Sequence, residues 1–240
     1  MLMLKKVELG INMLITFEGI DGSGKTTQIH KAFEFLTRAN YSAIKTREPG
    51  GTDIGQHIRS FLLNPENENM SSLCEFLLYE ADRAQHLDTV IRPALAEGTI
   101  ILCDRFIDSS LAYQGFARGL SIQLIEKIQS IVSQEIRPNI TLLFDIDPKL
   151  STSRALNALK NGERKLEESR FESKSIEFYK CVRKGYLELA TNERDRFWII
   201  DAADTPHKVF EQVIKGIETC VPSLSNYMEG GGLYEKLTSS

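Results

Sequence analysis

The stretch Gly19-Ile20-Asp21-Gly22-Ser23-Gly24-Lys25-Thr26 satisfies G-x-x-x-x-G-K-[ST], the spacing of a phosphate-binding loop. The apolar run Met13–Phe17 precedes it, and a helical pattern from Lys25 to Leu36 follows. That context decides the fold. A buried strand feeding a glycine-rich turn that opens a helix makes backbone N–H groups and the positive helix end converge on phosphate oxygens. The reading predicts a nucleoside triphosphate site, with Lys25 on the β- and γ-phosphates and the Thr26 hydroxyl on Mg²⁺.

Working outward, five apolar, β-rich runs alternate with helical patterns: Met13–Phe17, Ser42–Thr46, Thr99–Cys103, Ile140–Phe144 and Phe197–Ile200. Strands separated by helices imply parallel βαβ units and a doubly wound five-stranded sheet covered on both faces. Helices are expected near Lys25–Ala39, Ile54–Leu62, Ser71–Glu97, Ile122–Glu135, Pro148–Leu159, Ser175–Thr191 and Thr205–Thr219, with Pro93 kinking or ending the third.

Ligands of such sheets bind beyond the carboxyl ends of the strands. The second strand ends in Thr46-Arg47-Glu48-Pro49-Gly50-Gly51-Thr52, read as a tight, exposed turn. The third ends at Asp104-Arg105, which places a carboxylate where a second metal-binding acid is needed and a guanidinium beside it. Asp145, Asp147 and Asp201 end the last two strands and read equally well as helix caps or solvated loop acids. Arg47, Arg83 and Arg105 exceed what one triphosphate needs, so an acceptor already carrying a phosphate is expected opposite the loop. Tyr79 and Arg83 share a helix face at i, i+4, where a ring and a guanidinium can grip a base and its phosphate. A charged segment carrying Lys160, Arg164, Lys165 and Arg170 reads as a mobile cationic lid over about residues 157–173.

Composition sets the limits. The chain has 240 residues, 42% hydrophobic and 26% charged, with net charge −4, which suits one α/β domain and gives no reason to expect nucleic acid. Four widely spaced cysteines without a C-x-x-C pair point to reduced thiols and the cytoplasm, with Cys103 a small buried hydrophobe. No apolar run is long enough to span a membrane, and residues 1–12 lack the features of a signal peptide. The expected organisation is an extension over 1–12, a domain over 13–222 and a disordered tail over 223–240, rich in glycine.

The segments FEGIDGSGKTTQ (Phe17–Gln28), TREPGGT (Thr46–Thr52), LLYEADRAQH (Leu77–His86) and DRFIDSSLAYQG (Asp104–Gly115) together resemble the bacterial thymidylate kinases. The similarity runs from about Met13 to Cys220 and takes in YLELA (Tyr186–Ala190). It implies the nucleoside monophosphate kinase fold and the reaction ATP + dTMP → ADP + dTDP, with Mg²⁺, in a homodimer. ATP would be held by Gly19, Ile20, Asp21, Gly22, Ser23, Gly24, Lys25, Thr26 and Thr27, with Arg164 and Arg170 from the lid. The metal would sit on Thr26 and Asp104. dTMP would be held by Asp21 at the sugar 3′-OH, Tyr79 on the base, Arg83 and Arg105 at the phosphate and base edge, and Ser109, Ser110 and Gln114 around thymine. Tyr113 would lie beneath the sugar, with Glu48 and Pro49 shaping the wall. Lys25, Arg105, Arg170 and Asp21 would be catalytic. Gly22 stands where some members carry a loop arginine, so the transition-state cation is expected in the lid, with Arg170 favoured over Arg164 and Lys165.

Two rival functions make different demands on the sequence. A thymidine kinase would need a base for a hydroxyl and would use a second cationic site less. A GTP-driven switch would need an Asn-Lys-x-Asp guanine reader, which the sequence lacks.

Overall fold

The structure is a computed structural model and describes residues 11–162, 169–171, 174–221 and 224. Five parallel strands, β1 (Met13–Glu18), β2 (Ala43–Arg47), β3 (Ile100–Asp104), β4 (Ile140–Asp145) and β5 (Phe197–Asp201), form one sheet in the order β2-β3-β1-β4-β5. Each strand ends one residue later than its apolar pattern. The register pairs Phe17 with Asp104, Arg47 with Asp104 and Asp145 with Asp201. The polar residues at the carboxyl ends are therefore held by the ladder itself, which fixes their backbones.

Nine helices are described: α1 (Lys25–Arg38), α2 (Asp53–Leu63), α3 (Ser72–His86), α4 (Arg92–Ala96), α5 (Ile107–Ser110), α6 (Ile122–Ser133), α7 (Pro148–Lys160), α8 (Ile176–Asn192) and α9 (Pro206–Cys220). The side chains of Thr52, Ser71, Ser121, Asp147, Ser175 and Thr205 accept backbone N–H bonds and start their helices. The expected helix over 71–97 is split by a π-helical turn over Leu87–Ile91. Pro93 has no N–H for the carbonyl four residues back, so the regular ladder cannot run through. The short helix α5 and a second π-helical turn over Leu111–Ala117 were not expected from the sequence.

Alternate residues of the central strands face opposite layers. Ile15, Phe17, Ile100 and Leu102 join the larger core with Phe35, Phe144, Phe210 and Ile214. Leu14, Ile101 and Cys103 join the smaller core with Leu87, Ile91 and Phe106. Leu224 is fully buried in the larger core, two residues beyond the expected domain limit at 222. The rest of the expected tail, and residues 1–10 of the expected extension, lie outside the described residues.

Candidate active site

The strand order changes direction at β1, with β3 and β2 on one side and β4 and β5 on the other. A cavity of about 720 Å³ opens beyond the carboxyl ends of β1, β2 and β3. Gly22, Gly24, Lys25, Thr26, Thr27 and Asp104 line one end. Glu48, Pro49, Tyr79, Arg83, Ser110 and Gln114 line the other, with Asp21 and Arg105 between.

At the loop end, α1 begins on Gly24 in the left-handed region and has no side-chain cap, so its first amides face the cavity. Gly22 must be glycine: φ is +78° and a Cβ would stand 2.3 Å from the Ser151 carbonyl. The helix α7 packs on that point, where the Ser151 hydroxyl donates to the Asp21 carbonyl. Lys25 is buried, and its Nζ donates to the carbonyls of Gly19 and Ile20, each at 3.0 Å, and to Ser23 Oγ at 3.3 Å. Gly19, Ile20 and Ser23 thus serve the site by holding the lysine rather than by lining the cavity. Burial, then the charge of Arg105, pushes the lysine down to about 8. The Thr26 hydroxyl donates to Asp104 Oδ2 at 3.2 Å. A hydroxyl and a carboxylate oxygen this close are hard donors of the kind Mg²⁺ takes beside phosphate and water, so the pair fits that ion.

Arg105 is the hub. It adopts φ +69°, a strained conformation for a side-chain-bearing residue. Its guanidinium donates to Gly19 O at 3.0 Å, Asp21 Oδ1 at 2.9 Å, Tyr113 Oη at 3.1 Å, Tyr186 Oη at 3.2 Å and Ser109 Oγ at 3.3 Å. One side chain therefore ties the phosphate loop to the opposite wall.

Arg83 is almost wholly buried and is fixed from every side. Its Nε donates to Glu48 at 2.8 Å, one terminal nitrogen pairs with Glu80 and Ser110, and the other donates to the Phe106 carbonyl at 3.0 Å. Glu48 thus orients Arg83, and its other oxygen lies 2.9 Å from His86 Nδ1. The turn after β2 is not exposed as expected: Glu48, Pro49 and Gly50 are buried. Asp82 accepts the Gly50 N–H at 2.9 Å and Arg59 donates to the Pro49 carbonyl at 3.1 Å, so α2 and α3 cover the turn.

Ser109, Ser110, Tyr113 and Gln114 all line the cavity. Ser109 and Ser110 come from the end of α5, and Tyr113 and Gln114 from the π-helical turn that follows it. Ser109 donates to Glu18 at 2.6 Å, and Gln114 Nε2 donates to Glu75 at 2.8 Å. Tyr79 lines the same end.

Asp145, Asp147 and Asp201 have local structural partners. Asp145 forms an ion pair with Arg183, Asp147 caps α7, and Asp201 accepts the Ala203 N–H at 3.0 Å.

The structure does not bring Arg170 to the phosphate loop. Its guanidinium is paired with Glu75 and donates to the Leu62 carbonyl at 2.8 Å, while its N–H donates to Leu63 O at 3.1 Å. The last carbonyls of a helix have no partner within it and favour a cation, so Arg170 ends α2. Arg164 and Lys165 lie outside the described residues.

Two groups were given no role in the sequence reading. Glu18, the last residue of β1, accepts from Phe106 N at 2.7 Å, Ser109 Oγ at 2.6 Å and Tyr186 Oη at 2.7 Å. Burial, then Asp108, raises its carboxyl to about 7. Its signal was an acid closing an apolar strand just before the loop. Arg154, on α7, lines the cavity and donates to the Ala202 carbonyl at 2.8 Å. Nothing in its local sequence separates it from a surface arginine.

A phosphate loop and an arginine-walled pocket facing each other across one guanidinium are the arrangement of a P-loop kinase acting between two nucleotides. The fold is similar to that of a solved structure, the thymidylate kinase of Ehrlichia chaffeensis, at TM-score 0.68 and 34% identity over 86% of this chain and 98% of that one. Residues 17–213 match the family profile described as thymidylate kinase. Curated relatives with that name include one from Desulforapulum autotrophicum, 52% identical over 85% of this chain and 90% of its own length. Another, from Desulfosudis oleivorans, is 44% identical over 89% of this chain and 99% of its own. The chain belongs to the thymidylate kinase family, whose activity is phosphoryl transfer to dTMP, giving dTDP.

Proposed function

We propose that ATP lies on the phosphate loop and dTMP in the opposite pocket, with the γ-phosphoryl passing between them beside Arg105. The supporting observation is the Arg105 guanidinium, bonded both to the loop carbonyl of Gly19 and to Asp21 and Tyr113. No general base is needed, because the acceptor phosphate is already anionic at neutral pH. Lys25, the α1 amides and Arg105 stabilise charge, and Asp21 and Tyr113 place the sugar. Thr26 and Asp104 would hold Mg²⁺, which would supply neutralisation of the triphosphate's charge. Tyr79 stacks on the base, and Ser110 and Gln114 read its edge.

The test is a coupled assay with dTMP, dCMP and thymidine as acceptors. Turnover of dTMP well above the other two is expected, and Gln114→Ala should narrow the dTMP-to-dCMP ratio of kcat/KM about tenfold. Equal use of dCMP by the unmodified protein would overturn the acceptor assignment.

We also infer a homodimer in the cytoplasm. Ile54 and Phe61 of α2, Leu73 and Leu77 of α3, and Leu124 and Ile131 of α6 are exposed on helices that pack side by side. Sedimentation should give the mass of two chains, and a monomer at tens of micromolar would contradict it. The four cysteines are free thiols, and no described helix is long and apolar enough to cross a membrane.

A further inference from the structure

We infer that Arg170 is a positioning residue for the acceptor base, acting through Glu75 on the Gln114 amide. Arg170, Glu75 and Gln114 are 1%, 0% and 1% exposed, so water does not screen or satisfy them. One oxygen of Glu75 accepts the Gln114 Nε2 hydrogen at 2.8 Å. The other pairs with Arg170 and accepts from Arg118 at 2.7 Å. Glu75 enters from α3, Gln114 from the π-helical turn after α5, and Arg170 from the chain beside the end of α2.

The chemistry follows from what each group can do. A carboxylate flanked by two guanidinium groups only accepts hydrogen bonds. The Gln114 amide must then turn its NH₂ toward Glu75, which leaves its carbonyl oxygen for the cavity it lines. An acceptor at that place suits a base edge carrying a ring N–H, as thymine does, and not cytosine, whose ring nitrogen is itself an acceptor. Without Arg170, the buried Glu75 carboxylate would keep only Arg118 as a cationic partner among the described residues, and with one anchor lost its hold on the orientation of the Gln114 amide would loosen. Arg170 thus sets which base is read from a place outside the cavity. Phe171 reports the same connection: it lines the cavity and its ring meets Tyr113 edge-on at 5.7 Å.

This inference rests on the assignment of Gln114 to the acceptor base, and the experiment separates the two. Steady-state kinetics with dTMP and dCMP would compare the unmodified protein with Arg170→Met, Arg170→Lys, Glu75→Gln, Gln114→Ala and the double variant Arg170→Met/Gln114→Ala. Arg170→Met should lower the dTMP-to-dCMP ratio of kcat/KM about tenfold, with a larger change in KM for dTMP than in kcat and no change in KM for ATP. Arg170→Lys should recover part of the ratio, since the cation returns. The double variant should be no less selective than Gln114→Ala alone, because both act on one amide. If Arg170→Met does not fold, Glu75→Gln carries the test and should lower the ratio in the same way.

A fall in kcat with the ratio intact would overturn the inference and return Arg170 to the phosphoryl group. Additive losses in the double variant would also overturn it. A ratio unmoved by Gln114→Ala would instead show that the acceptor assignment itself is wrong.

Discussion

Lys25→Ala is expected to cut turnover by about 10²-fold or more while the protein stays folded. The reason lies in where the ammonium sits. Its Nζ is buried on the carbonyls of Gly19 and Ile20, so its charge is poorly hydrated and its field acts through little water. Burial has already moved its pKa from 10.5 down to about 8. The sign of the linkage is fixed by that direction. A lysine with a depressed folded pKa contributes stability that is present above 10.5 and lost as pH falls through about 8, so at neutral pH its charge is a cost to the fold. A triphosphate brings negative charge beside it and raises that pKa again. Binding of ATP near pH 8.5 should therefore take up part of a proton, seen by calorimetry in buffers of different ionisation enthalpy. The alanine variant should bind without this uptake and should be at least as stable as the parent at pH 7. Near-normal turnover in a folded Lys25→Ala protein would sink the assignment of this group as the catalytic cation.

What the sequence revealed and concealed divides along physical lines. The glycine loop and the central strands were readable because both are local: a fixed spacing in one, a run of apolar residues buried on both faces in the others. The strand ends were misplaced because a charged residue breaks an apolar run even where the ladder continues through it, as at Asp104 and Asp201. The segment over Ile107–Ala117 escaped notice for a different reason. Its π-helical turn bonds Arg118 N–H to the Tyr113 carbonyl, five residues back, so no 3.6-residue period marks it. Yet that turn carries Tyr113 and Gln114, two residues named for the site through family resemblance rather than by periodicity. Arg170 was the hardest to read. Its place is decided by a buried acid 95 residues away and by the open end of α2, neither of which its neighbours in sequence announce.

Arg105→Ala is expected to weaken dTMP binding by about 30- to 1000-fold, or about 2–4 kcal/mol, with a much smaller loss for ATP. Arg83 faces the same pocket, but its removal would be a poor test. It would strand Glu48 and Glu80, both buried, and the loss of one partner from such a cluster costs about 3–5 kcal/mol of folding stability. Arg105 differs in that its side chain is 15% exposed and its ion-pair partner Asp21 is 17% exposed, so water can replace part of what is lost. Asp21 also keeps the Tyr113 hydroxyl at 3.1 Å. Tyr186, held by Glu18 at 2.7 Å, keeps the wall in place, and the fold should survive. What disappears is a charged fork aimed between the two ends of the cavity. Lysine should not restore it, because one ammonium cannot reach Gly19, Asp21 and Tyr113 together from a backbone held at φ +69°. Calorimetry with each nucleotide in turn measures the division. Equal losses for ATP and dTMP would mean that Arg105 belongs to the phosphate loop alone, and the acceptor pocket would need another anchor for its phosphate.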